Sequence, residues 1–251
     1  MSSLPRVVMT DYITDPDIER CVLDGSAEVV CLGAHDSAGV AGRLSDAKVI
    51  ICFHEVEITA ALLKEAAGCV GVIRGGVGYN NIDFRTAGEM GIVVCNVPDY
   101  GTEEVADHAL ALLLALARRL VQAVDSIRRG EWNVAINRGA PRLRGKTLGL
   151  IGAGPIGTAL AVRAKALGLR VVLFDPYLPR GFEKSIGVER VWSLRELLPQ
   201  CQFVSMHCPL TDETRHLVDA VALGHMRRDA LLINTARGAL VDAAALTHAL
   251  R

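Results

Sequence analysis

The chain has 251 residues, 51% of them apolar and 22% charged, with 27 basic against 28 acidic residues. That length exceeds the roughly 100–200 residues of one typical domain and points to two, while the composition excludes wholesale disorder. A formal charge of −1 supplies no sequence-wide field for nucleic acid or an anionic membrane, so neither is an expected direct partner.

The N-terminal stretch MSSLPRVVMTDY lacks the basic segment and apolar run of a secretory signal, and a cytoplasmic location is expected. Five β-rich runs follow: RVVMT at 6, EVVCL at 28, KVIICF at 48, CVGVI at 69 and IVVCNV at 92. Each is separated from the next by room for a short helix, and most are apolar without alternation. That pattern predicts βαβ units and a parallel sheet covered on both faces, a doubly wound α/β domain over residues 1–99.

Residues 100–251 form the second expected domain. It opens with a long helix, with Thr102 as N-cap, Glu103, Glu104 and Asp107 near its positive end, and Arg118 and Arg119 near the other. Its run ALALLLALA is apolar almost all round, which predicts burial on several sides and a contact with the other domain or a second subunit. The longest apolar run, Ala109 to Ala117, has nine residues, against the ~20 a membrane span needs. The stretch from Arg128 to Arg144 is polar with glycine and proline and is expected to be a connection. A second parallel series then runs through TLGLIG at 147, RVVLFD at 170, QFVSMHC at 202 and ALLINTA at 230. Asp242 to Arg251 has the pattern of a helix without a stop signal, so the sequence is expected to be a piece of a longer protein.

The seven cysteines (21, 31, 52, 69, 95, 201 and 208) contain no CxxC and sit mostly in apolar runs. Buried thiols in a reducing compartment are expected, and no metal site.

Gly152-Ala153-Gly154-Pro155-Ile156-Gly157 follows a strand and opens a helix, and the next strand ends in Asp175, 18 residues past Gly157. In that context the first glycine permits a tight turn, the second lets backbone approach a pyrophosphate, and the third lets helix pack on strand. Pro155 fits the first helical turn, where its missing N–H costs nothing. Asp175 is placed to accept from a ribose 2′-OH and to repel a 2′-phosphate, which favours NAD over NADP. A flavin or a sugar nucleotide could use similar glycines, and so could a loop with no ligand.

Arg74-Gly75-Gly76-Val77-Gly78 follows an apolar strand, and its unshielded N–H groups beside an arginine suit a small carboxylate, although a mobile turn has the same composition. Asn234-Thr235-Ala236-Arg237-Gly238 leaves the carboxyl end of a strand, the edge where open α/β sheets bind ligands. Arg237 there could clamp a substrate carboxylate and polarise its carbonyl, or form an ordinary surface salt bridge.

Taken together, RGGVGYNNID, GIVVCNVPDYGTEEVADHALALLLALARR, GAGPIG with Asp175, HCPLTDETRHLV and LLINTARGALVD resemble, in that order, the D-isomer-specific 2-hydroxyacid dehydrogenases, most closely the C-terminal-binding-protein-like branch. The resemblance covers residues 45 to 251. It implies a flavodoxin-like substrate domain, a Rossmann-like NAD domain, an active site in the cleft between them, and a homodimer.

By the same resemblance Arg74, Val77 and Gly78 hold the substrate carboxylate and His54 faces the cleft. Gly152, Gly154, Pro155, Ile156, Gly157 and Asp175 bind NAD. Cys208, Pro209, Leu210 and Thr214 wall the adenosine half, Thr235 and Ala236 lie nearer the nicotinamide, and Arg237 is the catalytic arginine. The implied activity is hydride transfer between NAD and a small 2-oxo or D-2-hydroxy acid. The family's further aspartate, glutamate and proton-transferring histidine would lie past Arg251, and His207, His216, His225 and His248 match none of them. Two other readings follow: an NAD-sensing dimeric scaffold like the corepressors of that branch, and an NAD-binding pseudoenzyme.

Overall fold

The computed structural model describes residues 4–251, so the first three residues of the N-terminal stretch lie outside the described part. These residues form two compact units, one ending at Tyr100 and one beginning at Gly101.

The first unit holds strands β1 (Arg6–Met9), β2 (Glu28–Cys31), β3 (Ala47–Cys52), β4 (Gly71–Arg74) and β5 (Val93–Asn96), with helices α1 (Asp17–Leu23), α2 (Ala60–Glu65) and α3 (Phe84–Glu89). All pairings are parallel and the order is β2-β1-β3-β4-β5, so the chain reverses direction of travel at β1 and β3. Val8, Ile50 and Val72 are fully buried on neighbouring strands and pack with Leu44, Val56, Ile58 and Leu63 in one core. Helices α2 and α3 are short but well started: the side chains of Thr59 and Asp83 accept from the N–H groups of Leu62 and Thr86.

The second unit begins with α4 (Thr102–Ala117) and α5 (Leu120–Arg128). Gly101, not Thr102, occupies the N-cap, without a side-chain capping bond. Helix α4 ends just before Arg118 and Arg119, where their charge predicts its end; the separate helix α5, for which the sequence carries no expectation, begins after Arg119, whose left-handed conformation (φ 52°) is held by Nη1 donating to the Ile136 carbonyl at 2.8 Å. Burial of α4 is also narrower than its composition suggests. Ala106, Ala109, Leu113 and Ala117 are buried, whereas Leu116 is 46% exposed.

Strands β6 (Thr147–Ile151), β7 (Arg170–Phe174), β8 (Glu189–Val191), β9 (Phe203–Met206) and β10 (Leu231–Asn234) then alternate with α6 (Pro155–Ala166), α7 (Phe182–Ser185), α8 (Leu194–Leu197), α9 (Ala220–His225) and α10 (Ala243–Ala249). The sheet is parallel in the order β10-β9-β6-β7-β8. It has one more strand than the apolar runs indicate, because β8 is a three-residue polar edge strand. Alternate side chains feed two cores: Leu148, Leu150, Val171 and Leu173 face α4 and α6, while Val172, Val204 and Met206 face Leu197, Cys201 and Val218. Gly149 is required between Leu148 and Leu150, since a Cβ there would stand 2.6 Å from the Cys201 sulfur. Within the C-terminal decapeptide Ala243–Ala249 form α10, capped by Asp242, whose carboxylate accepts from Ala244 and Ala245 N–H. Among the described residues no helix is long and apolar enough to cross a membrane.

Candidate active site

In the second unit β6 is the point from which the sheet grows in both directions, with β7 on one side and β9 on the other. Loops leaving such a switch point diverge and open a crevice at the carboxyl edge. The loop after β6 begins at Gly152, with φ +90°, where a Cβ would meet Cys208 N at 2.7 Å and the His207 carbonyl carbon at 2.8 Å. Gly157 is as tightly placed, since its Cβ would lie 2.4 Å from the Gly152 carbonyl oxygen. Gly154 is the exception: it caps α6, and a Cβ there would meet nothing within 4 Å. Pro155 is the first residue of α6. The N–H groups of Ile156 and Gly157 belong to the first turn, where a helix has no internal acceptor for them.

Asp175 ties the loop to the next strand. Its Oδ2 accepts from Ala153 N–H and its Oδ1 from Tyr177 N–H, both at 3.0 Å. Each carboxylate oxygen keeps a second lone pair for a ligand hydroxyl. An open helix start beside a carboxylate with spare acceptor capacity fits a dinucleotide pyrophosphate and its ribose.

The end of the neighbouring strand β9 carries no charge. Burial pushes the His207 imidazole down to about 4, and its Nε2 shares a 2.9 Å hydrogen bond with Ser205 Oγ. Burial likewise pushes the Cys208 thiol up to about 11. Thr214 Oγ1 donates to the Pro209 carbonyl and accepts from Thr211 N–H, each at 2.7 Å, which closes the loop containing Leu210. At the end of β10 the Asn234 side chain accepts from Ala236 N–H at 3.0 Å and donates to the Arg237 carbonyl at 2.8 Å. That turn holds Arg237 half-buried, with Nη1 donating to the Ala236 carbonyl at 2.9 Å. Thr235 Oγ1 is buried without a hydrogen-bond partner among the described residues.

In the first unit, the loop after β4 is packed against the loop after β3. Gly75 N–H donates to the Cys52 carbonyl at 2.8 Å, and a Cβ on Gly75 would meet the Phe53 ring at 2.5 Å. Arg74 is 7% exposed, its guanidinium lying under Gly76 with Nη1 donating to the Gly75 carbonyl at 3.0 Å. Val97 N–H holds the Gly76 carbonyl at 3.1 Å and Asn96 Nδ2 holds that of Val77 at 2.8 Å. The N–H groups of Val77 and Gly78 enter no hydrogen bond within the described residues. His54 is exposed two residues past β3, its ring 5.3 Å from that of Tyr12.

Asp11 escaped notice in the sequence. Fully buried after β1, it accepts from the N–H groups of Phe53 (2.9 Å), Glu55 (2.8 Å) and Val56 (3.1 Å), and from the Thr10 hydroxyl (2.8 Å). Asn81 Nδ2 grips the same loop through the carbonyls of Phe53 and Val56. Its only local signal is a carboxylate directly after an apolar strand.

Residues 110–251 match the model of the D-isomer specific 2-hydroxyacid dehydrogenase NAD binding domain, more than half of the chain. The chain belongs to the D-isomer specific 2-hydroxyacid dehydrogenase family. It is 36% identical over 246 residues to D-3-phosphoglycerate dehydrogenase of Methanocaldococcus jannaschii, covering 98% of this chain and 46% of that protein. With glyoxylate reductase of Korarchaeum cryptofilum the identity is 41% over 215 residues, 83% of this chain and 64% of the relative. The chain thus spans about half to two thirds of the length of these curated relatives. The crystal structure of Aquifex aeolicus D-lactate dehydrogenase with NAD and lactic acid superposes with a TM-score of 0.89 at 30% identity, covering 97% of this chain and 73% of the other.

Proposed function

We propose that this chain binds NAD and serves an oxidoreductase that interconverts a small 2-oxo acid and its D-2-hydroxy acid. The observation that carries the reading is the open first turn of α6 at Gly154, tied through Ala153 to the carboxylate of Asp175. Bound NAD would supply or accept the hydride. The N–H groups of Gly154, Ile156 and Gly157 at the helix start would bind the pyrophosphate, and Asp175 would accept from the adenosine ribose and oppose a 2′-phosphate. Cys208, Pro209, Leu210 and Thr214 would form an uncharged wall, with Thr235 and Ala236 further along the same edge.

For the substrate, the unused N–H groups of Val77 and Gly78 would hold the carboxylate, in the positive field of buried Arg74, with His54 at the same sheet edge. Arg237 would stabilise the negative charge that gathers on the substrate C2 oxygen. The names of the relatives, a glyoxylate reductase and a D-lactate dehydrogenase, support this substrate class.

A homodimer is part of the same proposal, supported by exposed apolar residues along α5 and just beyond it, among them Val121 (63%), Ile127 (55%) and Trp132 (83%). So is a cytoplasmic location, supported by seven free cysteines.

Fluorescence titration with NADH and NADPH tests the central claim. The chain should prefer NADH, and Asp175→Ala should weaken NADH by about ten- to a hundredfold, the loss of hydrogen bonds to a charged acceptor, while relaxing discrimination against NADPH. Equal affinities in both proteins would overturn it.

A further inference from the structure

One buried arginine lies outside the loops that the proposed chemistry uses. Arg190 is on the edge strand β8, yet its side chain is only 3% exposed. Its Nη2 donates to the carbonyls of Asp175 (2.5 Å) and Leu178 (3.0 Å), and its Nη1 to that of Pro179 (3.1 Å). The guanidinium lies 4.3 Å from the centre of the Trp192 ring, and Glu183 supplies a countercharge at 3.8 Å. A buried guanidinium is costly unless its donors are used and its charge is balanced. Here Nε has no hydrogen-bond partner among the described residues, and all three donations, from Nη1 and Nη2, go to a single five-residue segment, 175–179, which leaves β7 at the carboxylate of Asp175.

We propose that Arg190 is a positioning residue for cofactor choice: by holding the 175–179 main chain it fixes the Asp175 carboxylate where it accepts from a ribose and opposes a 2′-phosphate. The inference rests on the dinucleotide reading above. An arginine near this position can instead receive a 2′-phosphate in NADP-binding proteins. Arg190 cannot do so here, because its side chain is buried and its terminal nitrogens are committed to carbonyls. The rigid planar fork suits it to several carbonyls at once, which a lysine ammonium on a flexible stem does not match. Asp175 adds its own bonds to Ala153 and Tyr177 N–H, so the backbone carbonyl and the side chain of one residue are both restrained.

The test compares the chain with its R190M, R190K and D175A variants by titration with NADH and with NADPH, alongside thermal unfolding. R190M should weaken NADH by about tenfold, the lower end of what losing an orienting partner costs a ligand-contacting group, with little change for NADPH, so that the affinity ratio falls. R190K should lie between R190M and the parent. A role in stability alone would lower the melting temperature and leave the ratio unmoved, which would overturn the proposal. D175A separates the two levels. If it leaves the ratio unchanged, the dinucleotide reading fails and this inference with it; if it lowers the ratio while R190M does not, only the inference fails. Should R190M not fold, R190K decides by the same ratio.

Discussion

The three glycines of the loop after β6 separate folding from binding, and alanine at each gives a different outcome. At Gly152 the added methyl would meet three rigid backbone atoms within 2.9 Å and would require φ +90° from a residue with a Cβ. Overpacking of about 1–3 kcal/mol and a left-handed penalty of about 1–2 kcal/mol give a loss of roughly 2–5 kcal/mol. For a domain of this size that lowers the melting temperature by about 5–15 °C. Gly157→Ala should behave similarly, because its methyl would press on the Gly152 carbonyl at 2.4 Å. Gly154→Ala should not. Its methyl projects into open space at φ −64°, and the weaker cap is offset by the reduced freedom of the unfolded chain, leaving stability within about 0.5 kcal/mol. That same methyl would stand where the pyrophosphate must approach, and about 1–3 kcal/mol of steric cost is a loss of roughly ten- to a hundredfold in NADH affinity. Differential scanning fluorimetry and NADH titration read the two effects independently. A Gly154→Ala protein with normal stability and normal NADH affinity would refute the assignment of the open turn to the pyrophosphate.

Asp11→Ala leaves three N–H groups without their acceptor, that of Val56 buried and those of Phe53 and Glu55 partly so, and should cost the first unit about 2–3 kcal/mol in urea unfolding, with faster hydrogen exchange at Phe53, Glu55 and Val56; a loss under about 1 kcal/mol would contradict the clamp. His207 should impose a pH dependence, because its folded value of about 4 lies below its ordinary 6.5, so the unfolded chain takes up the proton first. Stability is then full above pH 6.5 and falls by about 3 kcal/mol as the pH drops to about 4; Glu189, held low by Arg170, acts only below its ordinary 4.5, and His207→Gln should flatten the slope between 6.5 and 4.5. Val121→Asp combined with Ile127→Asp should shift a dimer to monomer in sedimentation without changing the circular dichroism, whereas an unchanged sedimentation coefficient would remove α5 from the interface.

What was legible in the sequence was local. The five strands of the first sheet and four of the second are continuous apolar runs, and a strand buried on both faces has to be one. The missed strand β8 is an edge with one neighbour, so glutamate and arginine are tolerated and no apolar signal remains. Helix α5 was invisible for another reason: no glycine or proline marks where α4 stops and α5 starts, and a contact to Ile136 seventeen residues away holds the left-handed turn between them. Asp11 and Arg190 belong to the same class. Asp11 acts on residues more than forty positions away and Arg190 on residues eleven to fifteen positions back, so neither stands out until the strands are side by side.

Strand order supplies a directional argument that no single motif contains. Across the carboxyl edge of the second sheet, β10 ends at Arg237, β9 at neutral His207 and Cys208, β6 at the glycine loop, and β7 at Asp175. Positive charge, uncharged wall, helix start and carboxylate therefore follow one another over three strand spacings, roughly 14 Å. A dinucleotide whose ribose is taken by Asp175 and whose pyrophosphate lies on α6 has only the β9–β10 side left for its other half. On the proposed reading that brings the reactive end toward Arg237, a cation able to stabilise charge on a substrate oxygen. Exchanging the charges of Asp175 and Arg237 would keep the net charge and the fold's apolar pattern, and should abolish both NADH preference and 2-oxo acid binding, because the order along the edge, rather than the inventory of groups, orients the cofactor.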